Sequence, residues 1–78
     1  MLERKIKIGG IYKNFKGHSY KVIGIAKDSE DLKEKVVYQN TETGELWLRD
    51  EKEFLSLVDK EKYPNIEQIY RFELIDKQ

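Results

Sequence analysis

The stretch from Lys35 to Arg49 narrows the fold more than any other part of the chain. Two short runs, Lys35-Val36-Val37-Tyr38-Gln39 and Glu45-Leu46-Trp47-Leu48-Arg49, flank the tetrapeptide Thr41-Glu42-Thr43-Gly44. β-Branched and aromatic residues suit extended backbone, and a Gly closing the turn accepts the left-handed conformation that a tight reversal needs. The pattern predicts an antiparallel hairpin. With a type I turn closed by a G1 bulge, Thr41 opposes Glu45, Tyr38 opposes Leu48 and Gln39 opposes Trp47. Val36, Tyr38, Leu46 and Leu48 then share one face, and Val37, Gln39, Trp47 and Arg49 share the other. A plain four-residue loop would set Tyr38 across from Trp47 instead; Gly44 favours the bulge. In either register Trp47 and Arg49 lie on one face.

Short strands and turns recur along the rest of the chain. Ile6 to Phe15 reads as a first strand broken at Gly9-Gly10, with Asn14 to His18 as the turn that leaves it. Tyr20 to Lys27 is a second strand with apolar residues on both parities: Tyr20, Val22 and Ala26 on one face, Ile23 and Ile25 on the other. With Gly24 in its middle, such a strand suits a coiled barrel better than a flat sheet with one wet side. Asp28 to Lys35 is a charged surface loop with Leu32 as its one apolar anchor and a single helical turn, if any, starting at Asp28 or Ser29. Asp50-Glu51-Lys52-Glu53 carries a D-x-x-E cap, so one helical turn brings Phe54 and Leu55 to the core. Leu57 and Val58 follow as a short strand, and Asp59 to Asn65, with Pro64, as a charged loop. Ile69 to Ile75 closes the domain, with Tyr70, Phe72 and Leu74 inward, Arg71 and Glu73 outward, and Asp76-Lys77-Gln78 fraying. The expected fold is mainly β: a small five- to six-stranded antiparallel, SH3-like or partly open barrel with one short helical turn. One domain over residues 1–78 is expected, with its core at about 6–75.

Composition limits the chemistry. A hydrophobic content of 38% is low, but nine aromatic rings in 78 residues supply the area a small core needs. The absence of cysteine excludes a disulfide framework, a thiolate nucleophile and Cys-ligated metals. The one histidine, His18, adjoins Ser19, and neighbouring residues on a strand point to opposite faces, so they make a poor dyad. His18 reads as a solvated turn residue. The glycines lack the spacing of a phosphate loop, and DSEDLKEK lacks the spacing of a calcium loop. No cofactor or metal is expected, and no enzymatic activity. With no apolar run long enough for a secretion signal or a membrane span, a cytoplasmic protein without membrane partners is the expectation. Net charge is zero but unevenly spread: residues 1–27 hold seven basic side chains against the single acid Glu3, so the remainder is acidic. Either basic and acidic strands lie side by side, or the first third forms a patch for a phosphate-bearing partner.

What remains is an aromatic–basic signal. Tyr12, Phe15, Lys16, His18 and Tyr20 surround the first turn, and Trp47 stands with Arg49 on the hairpin. Aromatic faces and cations together stack bases, hold phosphate or anchor a peptide. Tyr12, Phe15 and Phe72 are assigned to the core. Lys16, Tyr20, Trp47 and Arg49 are the candidate binding residues, with Trp47 and Arg49 beside each other on the outside of the curled sheet.

A distributed pattern supports these assignments: Gly10-x-Tyr12-x-x-Phe15-Lys16-Gly17-x-x-Tyr20-x-Val22-x-Gly24-x-Ala26, then Ser29-Glu30, Val36-Val37-Tyr38, Leu46-Trp47-x-Arg49, Phe54, and Arg71-Phe72. It resembles the small bacterial and phage domain-of-unknown-function family 1653 over roughly Gly9 to Leu74. Members typically carry His where this chain has Asn14 and Asp28, and Pro where it has Asp50; the missing histidines weaken any role for a His pair as ligand or base here. The resemblance implies a compact, mostly β module, often a stand-alone protein, and no activity. It marks Lys16, Ser29, Glu30 and Arg49 as a shared site, with Glu30 and Arg49 alternatively a structural ion pair between loop and hairpin. The leading expectation is a non-catalytic module that recognises a protein or small ligand, with a homo-oligomer compatible with its size. The alternatives are a nucleic-acid-binding accessory domain, and an enzyme or sequestering protein for a small nucleotide-like ligand whose pocket joins Lys16, Tyr20, Trp47 and Arg49.

Overall fold

In the computed structural model, which describes residues 5–76, five antiparallel strands form one sheet. They are β1 (Ile11–Asn14), β2 (Ser19–Lys27), β3 (Glu34–Asn40), β4 (Leu46–Asp50) and β5 (Phe72–Asp76), with one helical turn, α1 (Glu51–Phe54), before the last. Strand order is β4-β3-β2-β1-β5, so the first four strands meander and β5 returns to pair with β1. The sheet does not close on itself, and β4 and β5 are its edges. This is the mainly β, partly open barrel with a short helix that the residue pattern predicts.

Register decides what faces inward. Tyr12 lies opposite Tyr20 and Leu74, Asn14 opposite Phe72, Val22 opposite Tyr38, Tyr38 opposite Trp47 and Val36 opposite Arg49. Directly paired residues share a face, so the inner layer holds Tyr12, Tyr20, Val22, Val36, Tyr38 and Phe72, over which Phe54 packs. Phe54, Val22 and Val36 are fully buried. The rings interlock: Phe54 stacks on Phe72 with centroids 4.1 Å apart and planes 7° apart, and Tyr12 and Tyr38 each meet Phe54 edge-on at 5.3 Å.

Two face assignments from the sequence are corrected. The hairpin uses the four-residue loop: Asn40 N–H donates to Glu45 O, and Tyr38 opposes Trp47, not Leu48. Gly44 does adopt a positive φ of 78°, but its N–H bonds Asn40 O inside the loop. The Asn40 side chain supplies the extra order, accepting from the N–H groups of Glu42 and Thr43. Trp47 and Arg49 therefore share the inner face with Val36 and Tyr38, and it is Leu46 and Leu48 that look outward. In β2 the register slips between Val22 and Gly24, so Ile25 pairs with Val36 and Ala26 with Lys35. The parity of the strand flips at this bulge, which puts Ile25 with Val22 and moves Ala26 to the other side.

Local chemistry sets the remaining elements. Asp50 caps α1 by accepting from Lys52 N–H, while Glu53 turns to Arg49. Lys35 reaches both Asp50 and Asp31 at 3.7 Å, tying the helix start to the 28–33 loop. That loop is not anchored by Leu32, which is 68% exposed with φ at 60°. Asp28 organises it instead, through Leu32 N–H to its carbonyl and Glu30 N–H to its carboxylate. The lead-in residues Ile6 and Lys7 lie outside β1, because Gly10 N–H folds back to Lys7 O. The final strand begins late: Val58 N–H bonds Ile69 O and Arg71 N–H bonds Ser56 O, so residues 69–71 pair with 56–58. Asp76, expected to fray, still pairs with Ile11; the rest of that expectation, Lys77 and Gln78, lies outside the described residues. Among the described residues no helix is long and apolar enough to cross a membrane.

Truncating the stacked ring should be severe. Phe54→Ala is expected to cost about 3–5 kcal/mol, close to the whole stability of a domain this small, read as a collapse of the urea midpoint. Leu32→Gly should act in the opposite direction. It relieves an αL side chain that buries little and should raise stability by about 0.5–1 kcal/mol in the same measurement.

Candidate functional site, a cationic cleft with aromatic walls

The turn between β1 and β2 presents Lys16. Asn14 begins it, with its Oδ1 accepting from Lys16 N–H at 3.0 Å and His18 N–H at 2.9 Å. Gly17, at φ 96°, lets the chain reverse while its N–H bonds Asn14 O. His18 is exposed here. Phe15 N–H donates to Arg71 O, and Arg71 N–H donates to Ser56 O, so the backbone of Arg71 is held beside the turn from both sides.

The approach to Arg71 is fastened by side chains. Gln68 Nε2 reaches Lys13 O at 3.0 Å and Tyr70 O at 2.8 Å, and Glu73 Oε2 accepts from the N–H groups of Ile69 and Tyr70. Lys60 Nζ donates to the carbonyls of Ile66 and Gln68, and Asp59 Oδ1 caps the turn before Tyr63. Tyr63 is thereby laid against Phe15, with ring centroids 4.8 Å apart.

Arg49 enters from β4. Its Nε donates to Tyr38 Oη at 3.3 Å, its NH1 lies 3.9 Å from Glu53, and its guanidinium sits 5.9 Å from the Phe72 ring centroid. The result is a cleft of about 150 Å³ lined by Asn14, Phe15, Lys16, Arg49, Tyr63, Arg71 and Phe72. Three lining groups are cationic, three aromatic and none acidic. Arg71 Nε is buried and has no hydrogen-bond partner among the described residues. Such a recess favours an anion: paired guanidinium and ammonium groups supply strong charge-assisted donors, and the rings exclude water around them. A larger depression, of about 190 Å³, is lined by Lys33, Glu34, Asp50, Glu51 and Lys52, where opposite charges offset one another. Among the described residues no three His, Cys, Asp or Glu side chains group as a metal site.

Of the candidate residues, Lys16 and Arg49 meet in the cleft. Tyr20 does not line it: its ring packs edge-on against Tyr38 at 5.1 Å and Phe72 at 5.9 Å, behind the cleft floor. Trp47 stays half exposed at the sheet edge, on the inner face and outside the cleft. Ser29 and Glu30 are exposed in the loop after β2. The carboxylate beside Arg49 belongs to Glu53, so the Glu30–Arg49 pair is not made. Phe15, assigned to the core, is a half-buried wall, whereas Tyr12 and Phe72 are core as expected. Asn14, Tyr63 and Arg71 were missed. Alternation along a last strand pointed Arg71 outward, but that strand starts only at Phe72. The Arg71-Phe72 pair within the family pattern was the signal that could have found it.

Fold and cleft together define a small, mainly β domain with a basic, aromatic-walled recess at its open side. Its family is also clear: the family model described as "Protein of unknown function (DUF1653)" matches residues 10–74, and the chain belongs to that family. No curated protein and no solved structure matches it.

Asn14 carries the turn, and its replacement tests that. Asn14→Ala should accelerate amide hydrogen exchange at Lys16 and His18 and cost about 1 kcal/mol, whereas Asn14→Asp, which keeps the acceptor, should retain the protection.

Proposed function

We propose that this domain is a non-catalytic binding module whose cleft receives a small ligand through an anionic group, a phosphate or a carboxylate. The observation that carries this is the convergence of Lys16, Arg49 and Arg71 on one recess with no acidic residue in its lining. Arg49 is oriented by the Tyr38 hydroxyl before any ligand arrives, which lowers the ordering cost of binding. The rings of Phe15 and Tyr63, tilted 56° to each other, add an apolar wall, so a ligand with a planar body, such as a nucleotide, gains over bare phosphate by packing on one of them.

The distribution of the other cations argues for a small ligand over a nucleic-acid strand. Among the described basic residues of the first third, only Lys16 lines the cleft. Lys13 and Lys21 alternate with the inward residues Tyr12, Tyr20 and Val22, so they look out from the opposite face of the sheet. A strand of phosphates needs a continuous basic track.

Titration of 15N-labelled protein with inorganic phosphate, a nucleoside monophosphate and acetate tests this at low salt. Shifts should be confined to residues around 14–16, 49, 63 and 71–72, largest for the nucleotide. Lys16→Met or Arg49→Met should weaken binding about tenfold, and Lys21→Met should not. If none of the three anions perturbs those amides at millimolar concentration, the anion-binding function is wrong.

A further inference from the structure

β4 is an open edge of the sheet, yet it carries three large apolar residues in succession: Leu46, Trp47 and Leu48 are 64%, 47% and 60% exposed. Edge strands normally protect themselves with an inward charge, a proline or a covering segment, because their free backbone groups invite another strand. Among the described residues, the central part of this edge has none of these. Charge appears at its flanks, as Glu45 on one side and Arg49 and Asp50 on the other. We propose that β4 pairs with β4 of a second copy of this chain, antiparallel about a twofold axis at Trp47, so that the sheet continues across a homodimer.

The backbone sets the phase. Asn40 N–H donates to Glu45 O, and bonded and non-bonded pairs alternate along an antiparallel ladder. The Glu45 carbonyl and the backbone groups of Trp47 and Arg49 therefore go to β3, while Leu46 and Leu48 aim theirs at the open edge. With the axis at Trp47, Leu46 and Leu48 exchange both of their hydrogen bonds with Leu48 and Leu46 of the second copy.

Side chains choose among the axes that the backbone allows. An axis at Trp47 sets Leu46 against Leu48 on the outer face. On the inner face it sets Trp47 against its own copy, while the Arg49 guanidinium stays turned to Tyr38 and Glu53 of its own chain. An axis at Leu48 would instead oppose Leu46 to Asp50, whose carboxylate already caps α1 and meets Lys35. Only the first arrangement pairs Leu46, Trp47 and Leu48 wholly with one another. It also ends each paired segment before α1 begins at Glu51.

Sedimentation equilibrium of the unmodified chain should show a monomer–dimer equilibrium, with Leu48→Lys raising the dissociation constant at least about tenfold while the circular dichroism spectrum stays native. Register is tested by single cysteines, which the chain otherwise lacks. Trp47→Cys brings two thiols together in a non-bonded pair and should form the disulfide dimer far faster than Leu46→Cys or Leu48→Cys under the same mild oxidant. Should any cysteine variant fail to fold, lysine substitutions replace it. Leu46→Lys should weaken the dimer as Leu48→Lys does, since the two oppose each other across the axis, whereas Ile75→Lys on the far edge strand should not. A strict monomer at high micromolar concentration, assemblies larger than a dimer, or equal crosslinking at the three positions would each overturn the proposal. The readout is association, so its failure leaves the anion-binding function of the cleft untouched.

Discussion

The stacked pair of Phe54 and Phe72 is the contact on which the rest of the molecule leans. Phe54 sits at the end of a helical turn of four residues, too short to persist on its own. Phe72 opens β5, the strand that returns from the far end of the chain. Their contact at 4.1 Å joins the segment after β4 to the strand at the opposite edge of the sheet, across the side the hydrogen-bond ladder leaves open. Tyr12, Tyr20 and Tyr38 then pack edge-on around that pair. A sheet of short strands curls because this cluster gives its inner face something to enclose.

The cleft inherits its geometry from the same cluster. Phe72 is both a core ring and part of the lining, and Arg49 lies over it while bonding the hydroxyl of Tyr38. A disturbance of the rings would therefore move a cation. Bringing Lys16, Arg49 and Arg71 together also carries a repulsive cost that a domain shaped only by stability would avoid. Glu53 relieves part of it from outside the lining, but the Arg49–Glu53 pair is well exposed and contributes little. Local charge excess that the fold does not cancel is a common mark of a binding site.

Several features were legible because they are short-range. The five strands, the Asp50 cap and the turn at Asn14 each follow from residues within a few positions of one another. The errors share a cause as well. Gly44 is compatible with both hairpin loops, and the choice went to the one in which Asn40 caps the loop with its side chain. One residue of register then moved Trp47 and Arg49 from the outer to the inner face. A bulge at Ile23 turned Ile25 inward and Ala26 outward in the same way. Leu32 looked like an anchor because it is the only apolar residue in its loop, but nothing there reaches the core.

From its own order of residues the chain specified a small antiparallel β domain and an aromatic–basic character, since period-two patterning, caps and turn chemistry act over a few neighbours. Which cations meet was settled only by folding. Lys16 comes from the first turn, Arg49 from the fourth strand and Arg71 from the entry to the fifth, and residues so far apart become neighbours through strand order and register, which local pattern does not encode. Charge counted along the chain accordingly pointed to the basic first third, whereas the basic recess draws two of its three cations from the acidic remainder.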